Sequence, residues 1–195
     1  SIITGMNKMI IFVGPRGVGK DTLVQHVIEK HDQCKIFVGV TTREKRPEEV
    51  EGEHYYFVTK EEFERKIDND EFAEYDYHFN AYYGSPKKEI EKMWSKNIIP
   101  VTDVDFRGAE ILKERYGDSV LIVFIKVSDF EVLEKRMRSR STENKELTEQ
   151  HIQEAKERYE KEITFESHAD IVLINDDLEK AKSLTDEVVE AYTKA

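Results

Sequence analysis

Met9-Ile10-Ile11-Phe12-Val13 runs without a break into Gly14-Pro15-Arg16-Gly17-Val18-Gly19-Lys20-Asp21-Thr22. The order is a short apolar strand, a glycine-rich turn and a helix start, and an amphipathic Leu23-Val24-Val27-Ile28 face follows. Gly14, Gly17 and Gly19 let the backbone curl so that successive N–H groups point inward at a polyphosphate. Lys20 then reaches the outer phosphates, and the helix directs its positive end at them. The expected ligand is a nucleoside triphosphate, held by Gly14, Arg16, Gly17, Val18, Gly19, Lys20, Asp21 and Thr22. Asp21 stands where a hydroxyl usually follows the lysine, and Thr22, one place later, offers an oxygen to Mg²⁺ or to a phosphate.

The rest of the chain bounds the setting of that loop. At 195 residues it holds one sizeable domain, and 38% hydrophobic content is ordinary for a globular protein with many charges. Its net charge of -11 argues against a general nucleic-acid or acidic-membrane binder, because phosphate backbones are held by surplus Lys and Arg. An anionic ligand must therefore meet a local basic cluster. No apolar run approaches the roughly 20 residues needed to cross a bilayer, and the single cysteine, Cys34, cannot form an internal disulfide. A cytoplasmic home fits best. Ser1 to Gly5, ahead of Met6, are an expression remnant or a short natural extension. The acidic runs Glu48-Glu49-Val50-Glu51 and Asp176-Asp177 read as solvated surface.

Helical and strand-like stretches alternate, which predicts an α/β protein with a mainly parallel sheet flanked by helices. Strands are expected at 9–13, 35–40, 98–104, 120–127 and 170–174. Three of them are almost unbroken Ile, Val, Leu and Phe, as in a sheet covered on both faces. Helices are expected at 20–31, 86–96, 106–116, 129–140, 147–163 and 178–193. The stretch 36–85 differs: it is rich in Tyr and Phe and holds a short helix opened by Thr59 and Glu62 in a capping-box pattern, so it reads as an inserted mixed α/β subdomain. Residues 136–147 carry basic and then polar residues with little to bury, which suits a mobile flap. Met93-Trp94 reads as core.

Three further segments carry chemistry. Arg43 and Arg46 lie three residues apart and can fork onto one phosphate. Residues 71–75 and 81–85 interleave a carboxylate with aromatic and hydroxyl groups, and Asp103 and Asp105 end the third apolar strand. With these motifs in this order, the chain resembles the guanylate kinase family of P-loop nucleoside monophosphate kinases, which move the γ-phosphoryl of ATP to GMP. The resemblance spans nearly all of residues 9–193. It implies a P-loop NTPase fold with a five-stranded core (about 6–34, 96–135 and 164–195), a GMP-binding subdomain (about 35–95) and a helical lid (about 136–163).

It also implies roles. Arg43, Arg46, Tyr55 and Tyr83 would hold the GMP phosphate, and Glu74 and Ser85 would read guanine. A carboxylate accepts only, and guanine offers N1–H and N2–H₂ side by side where adenine has no such pair. Asp103 and Asp105 would lie near the base, the acceptor phosphate and hydrated Mg²⁺, although each also suits a strand-end acid capping the next helix. Arg136 and Arg140 would close over the ATP phosphates, with Arg138 assisting, and Lys20, Arg43, Arg136, Arg140 and Asp103 would carry catalysis. Mg²⁺ would be held mainly through phosphates and water, with Asp21, Thr22 and Asp103 as candidate ligands. The expected partners are ATP and GMP, with dGMP as a further acceptor, and neither nucleic acid nor membrane; the assembly is a monomer or homodimer. Both the subdomain and the lid are expected to swing inward on binding, since water in the site would hydrolyse ATP.

Three positions depart from the family pattern. Gly39 stands where a serine usually helps to read guanine. The second lid arginine is missing from its expected place, leaving Lys156 or Arg158 as substitutes. The Gly19-Lys20-Asp21 sequence is similar to that of ribose bisphosphate kinases, which phosphorylate a sugar phosphate. A kinase-like interaction module is the remaining alternative; loss of the loop lysine or glycines would mark it, and here they are present.

Overall fold

The computed structural model describes residues 7–144 and 146–195, with the side chains of 141–144 excepted. Ser1 to Gly5 and part of the basic flap segment thus lie outside the described residues. The core is a five-stranded, all-parallel sheet formed by β1 (Met9–Val13), β2 (Cys34–Ile36), β7 (Ile99–Asp103), β8 (Val120–Lys126) and β9 (Ile171–Ile174), in the order β2-β7-β1-β8-β9. Every residue of β1 is buried, as its uninterrupted apolar sequence requires of a central strand. Alternate side chains of that strand go to opposite faces. Ile10 and Phe12 meet α1 (Lys20–Lys30) and α7 (Leu178–Lys194) through Leu23, Val27, Ala181 and Val189. Met9, Ile11 and Val13 meet α3 (Lys87–Ser95) and α4 (Phe106–Tyr116) through Ile90, Ala109 and Leu112. Met93 and Trp94 pack on this second layer, and the Trp94 indole donates to the Lys8 carbonyl at 2.9 Å.

The expected strand at 35–40 is two strands in two sheets. β2 stops at Ile36, Phe37 turns in to donate to the Val101 carbonyl at 2.8 Å, and β3 (Gly39–Thr41) starts a separate four-stranded sheet. That sheet has the order β4-β3-β6-β5, with β4 (Tyr55–Phe57), β5 (Phe72–His78) and β6 (Ala81–Pro86). The departure at Gly39 has a local cause. A Cβ there would approach the Gly84 carbonyl oxygen to 3.0 Å across the β3–β6 pair, so the strand pairing itself favours glycine. The sheet is backed by α2 (Lys60–Asp68), whose Thr59 cap accepts the Glu62 N–H at 3.1 Å. Phe63 of α2 is fully buried and stacks between Phe72 (4.4 Å) and Tyr82 (4.7 Å), an aromatic core separate from that of the main sheet.

α5 (Phe130–Asn144) and α6 (Glu149–Glu162) lie beyond β8. The helix expected to stop at 140 continues to Asn144, and Arg138 joins the two helices by pairing with Glu134 (3.4 Å) and with Glu149 of α6 (3.0 Å). Asp176 and Asp177 lie on the surface, as expected, and also serve the backbone. Asp176 accepts the Ser128 N–H and Asp177 caps α7.

A polar clamp ties α1 to α7. Asp186, only 7% exposed, receives His26 (3.0 Å), His31 (2.9 Å) and Lys30 (2.7 Å). Burial alone would raise its pKa; Lys30 and the two imidazoles outweigh that and bring it to about 2. Because the folded value lies below the ordinary one, the clamp stabilises fully above about pH 4 and loses its effect as pH falls toward 2. Asp186→Asn is expected to lower the unfolding free energy by about 3 kcal/mol at neutral pH. The gap from wild type should narrow across the acidic range, and urea titrations at a series of pH values check both.

Candidate active site

The glycine-rich turn joins β1 to α1 at the carboxyl end of the parallel strands, where open α/β sheets place their ligands. Gly19 takes φ +86° and caps α1 in a left-handed conformation. A side chain at Gly19 would also run into the amide of Asn175, a residue the sequence reading missed. Asn175 follows β9, is 2% exposed, and donates through Nδ2 to the Val18 carbonyl at 2.8 Å, holding the turn from below. Arg136 on α5 donates to the Asn175 carbonyl at 2.6 Å, so the first lid helix and the turn share one anchor.

On the lid side of the turn, a cleft of about 650 Å³ is lined by Arg16, Gly17, Arg136, Arg140, His151 and Arg158, among others. Of the two substitutes for the missing lid arginine, Arg158 faces this cleft. Lys156 instead lines a groove with Asp129, Glu131 and Lys135. His151 was not anticipated. Its side chain faces the cleft from the first turn of α6, where it completes a capping box: Thr148 accepts the His151 N–H at 3.1 Å, and the His151 ring accepts the Thr148 N–H at 3.4 Å. Arg138 does not line the cleft. Glu162 closes its floor; burial raises the Glu162 pKa, against the pull of nearby Arg158 and Lys20 and of the Arg16 backbone N–H.

Across the sheet edge lies a second cleft of about 850 Å³, bounded by both sheets. It gathers Asp21, Tyr55, Glu74, Tyr83, Ser85, Asp103 and Asp105. Glu74 on β5 sits opposite Ser85 on β6 in register, and the Ser85 hydroxyl donates to it at 2.6 Å. Glu74 is 7% exposed, and burial pushes its pKa up to about 7. Asp105 caps α4, accepting the Gly108 N–H at 2.8 Å, so the capping reading holds for it while it also walls the cleft. Asp103 is the one exposed residue of β7. Partial desolvation of its carboxyl raises its pKa to about 6, opposed by Lys20 and helped by a hydrogen-bonded Asp21. Asp21, Asp103 and the nearby Thr22 are hard oxygen donors, and two carboxylates in contact at the foot of the phosphate turn suit a divalent cation such as Mg²⁺.

Two cleft residues had no signal in the sequence. Asp76 and His78 project from β5, and their ligand atoms gather with one from Asp105 within 4.8 Å of one another. The His78 ring stacks on Tyr83 at 4.5 Å, and its buried Nδ1 has no hydrogen-bond partner among the described residues. The two arginines of the 43–46 segment are placed differently. Arg43 lies over the Tyr55 and Phe57 rings (5.5 and 5.8 Å) and pairs at 2.8 Å with Glu49, which lines the cleft, whereas Arg46 is exposed; neither arginine itself lines the cleft. Glu49, expected in a solvated acidic run, has a side chain only 10% exposed.

One anion site at the start of α1 and a second cleft reaching the same Asp21 are the requirements for moving a phosphoryl group between two ligands, which defines a phosphate-loop phosphotransferase. A family model described as guanylate kinase matches residues 6–192. The guanylate kinase of Mesomycoplasma hyopneumoniae is 36% identical over 190 residues, covering 94% of each chain. That of Helicobacter pylori is 38% identical over 176 residues, 90% of this chain and 83% of its own. The crystal structure of guanylate kinase from Anaplasma phagocytophilum aligns with a TM-score of 0.69 at 26% identity, over 95% of this chain and 84% of that one. The chain belongs to the guanylate kinase family.

The buried carboxyl has a thermodynamic consequence. The folded protein keeps the Glu74 proton up to about pH 7, whereas an unfolded chain releases it near 4.5. Stability therefore falls as pH rises between those values and stays lower above them. Glu74→Gln removes that loss. It is expected to be more stable than wild type by on the order of 3 kcal/mol at mildly alkaline pH and equal to it below about pH 4.5, as read by denaturant titration.

Proposed function

We propose that this chain transfers the γ-phosphoryl group of ATP to GMP, giving ADP and GDP, and that dGMP is also accepted. The observation that carries this reading is the buried Glu74–Ser85 pair at the wall of the second cleft. A carboxylate held out of water with one partner needs further donors, and the N1–H and N2–H₂ of guanine are a matched pair. A sugar phosphate has no such pair, which disfavours the ribose bisphosphate reading. Lys20 and the loop glycines are retained, which disfavours an interaction module.

In this reading ATP lies along the lid cleft with its phosphates on the turn, held by the backbone N–H groups of residues 16–20 and by Lys20. Arg136, Arg140 and Arg158 meet the equatorial oxygens as charge develops, and His151 adds a donor or acceptor on the same wall. Arg43, Tyr55 and Tyr83 orient the GMP phosphate, so that its oxygen lines up with the γ-phosphorus. The GMP phosphate is already anionic at neutral pH, so no residue need remove a proton; Asp103 serves to position. Mg²⁺, when bound through Asp21, Thr22 and Asp103 or through water on them, neutralises charge on the phosphoryl oxygens. The lid at about 136–163 and the subdomain at about 35–95 close over the two nucleotides and exclude water. Among the described residues no helix is long and apolar enough to cross a membrane. With Cys34 buried as a free thiol, a cytoplasmic location as a monomer or homodimer fits.

The test is ADP release from Mg-ATP with GMP, dGMP, AMP, UMP, CMP or a ribose phosphate as acceptor. Turnover is expected with GMP and dGMP and is lost by at least about a thousandfold in Lys20→Ala. Glu74→Gln is expected to cost about 10- to 100-fold in kcat/KM for GMP. Turnover with the ribose phosphate alone would overturn the assignment.

A further inference from the structure

Arg43 is held along one edge of its guanidinium. Glu49 accepts from Nη1 through Oε1 (2.8 Å) and from Nη2 through Oε2 (2.9 Å), an end-on fork, and the Glu44 carbonyl takes the second Nη1 proton at 3.0 Å. Among the described residues no carboxylate or carbonyl takes Nε–H or the outer Nη2 proton, and together these form the side-on fork, the other geometry in which arginine grips a phosphate with two parallel bonds. The Tyr83 hydroxyl, on the wall of the acceptor cleft, hydrogen-bonds the same guanidinium and so links it to the cleft. Glu49 is itself fixed, because its Oε1 also accepts the Arg46 N–H at 2.9 Å and Lys45 donates to its carbonyl at 3.1 Å. The carboxylate stays ionised at all working pH values, its pKa drawn down to about 2 by Arg43 first and then by the Arg46 backbone.

We propose that Glu49 is a positioning residue for the acceptor phosphate: it holds Arg43 end-on so that the side-on edge is presented to the phosphate of the incoming nucleoside monophosphate. The arrangement separates two jobs. Glu49 keeps the guanidinium over Tyr55 and Phe57 before the nucleotide arrives, and the phosphate then meets an arginine whose rotamers are already restricted. The proposal rests on the reading of this cleft as the GMP site, but only through the phosphate.

The test compares GMP with guanosine, which lacks the phosphate, by calorimetry on the full chain and on Glu49→Gln and Glu49→Asp. In wild type GMP should bind more tightly than guanosine. Glu49→Gln should weaken GMP about tenfold, leave guanosine and ATP within about twofold, and raise the KM for GMP far more than it lowers kcat. Glu49→Asp should recover part of the loss, with the melting temperature of both variants near that of wild type. Tighter GMP binding in Glu49→Gln would mean that the carboxylate competes with the phosphate, and would overturn the proposal. Unchanged GMP binding, or equal loss of GMP and guanosine with a fall in melting temperature, would overturn it too, the latter assigning Glu49 a structural role. A wild type that prefers GMP over guanosine without turning it over, and loses that preference in Glu49→Gln, would refute the kinase reading and uphold the role of Glu49.

Discussion

The site depends on one pairing: β1 and β7 run parallel and adjacent, with Phe12 in register with Asp103. Parallel strands lie about 4.8 Å apart, so the chain leaving β1 as the phosphate turn and the chain leaving β7 as Asp103-Val104-Asp105 emerge side by side. Lys20 and Asp21 then meet Asp103 without any specialised connection, and the second cleft, lined by both aspartates, opens there. Met9–Val13 are buried on both faces, so this pairing sits at the centre of the core.

A protein of net charge -11 must bind two anionic nucleotides, and the structure shows how the signs are managed. Basic residues are concentrated on the lid wall, with Arg16, Arg136, Arg140 and Arg158 around one cleft. Acids are concentrated on the acceptor wall, where Asp76 and Asp105 raise the proton affinity of Glu74, Asp76 that of Asp105, and Asp21 that of Asp103. A base rich in donors suits the second wall and a triphosphate the first, so the two ligands are sorted by charge before any contact of detail.

Much of this was legible in the chain. The phosphate turn, the apolar core strands, the amphipathic helices and the acids after β7 are local patterns, and locality is what a single sequence records. Other features are products of tertiary contact. The stretch 35–40 has one uniform β-like composition, yet it divides because Phe37 bonds to Val101 and Gly39 must pass close to Gly84. Asn175 lies more than 150 residues from the turn it supports, and Glu49 looked like any member of an acidic run until Arg43 folded over it. His151 could be noticed only once the capping box turned it toward the cleft.

Asp105 shows why the capping and functional readings of a residue need not compete. Its Oδ1 is occupied by the Gly108 N–H, which satisfies the start of α4, and this fixes the carboxylate so that Oδ2 lies 4.0 Å from His78 Nδ1. A free aspartate at a strand end would spread over several rotamers, whereas one tied to a helix start presents a single oxygen to the cleft. Glu49 applies the same logic to a cation, and Thr148 to an imidazole. In each case the backbone or an opposite charge takes one edge of the group and so restricts its rotamers.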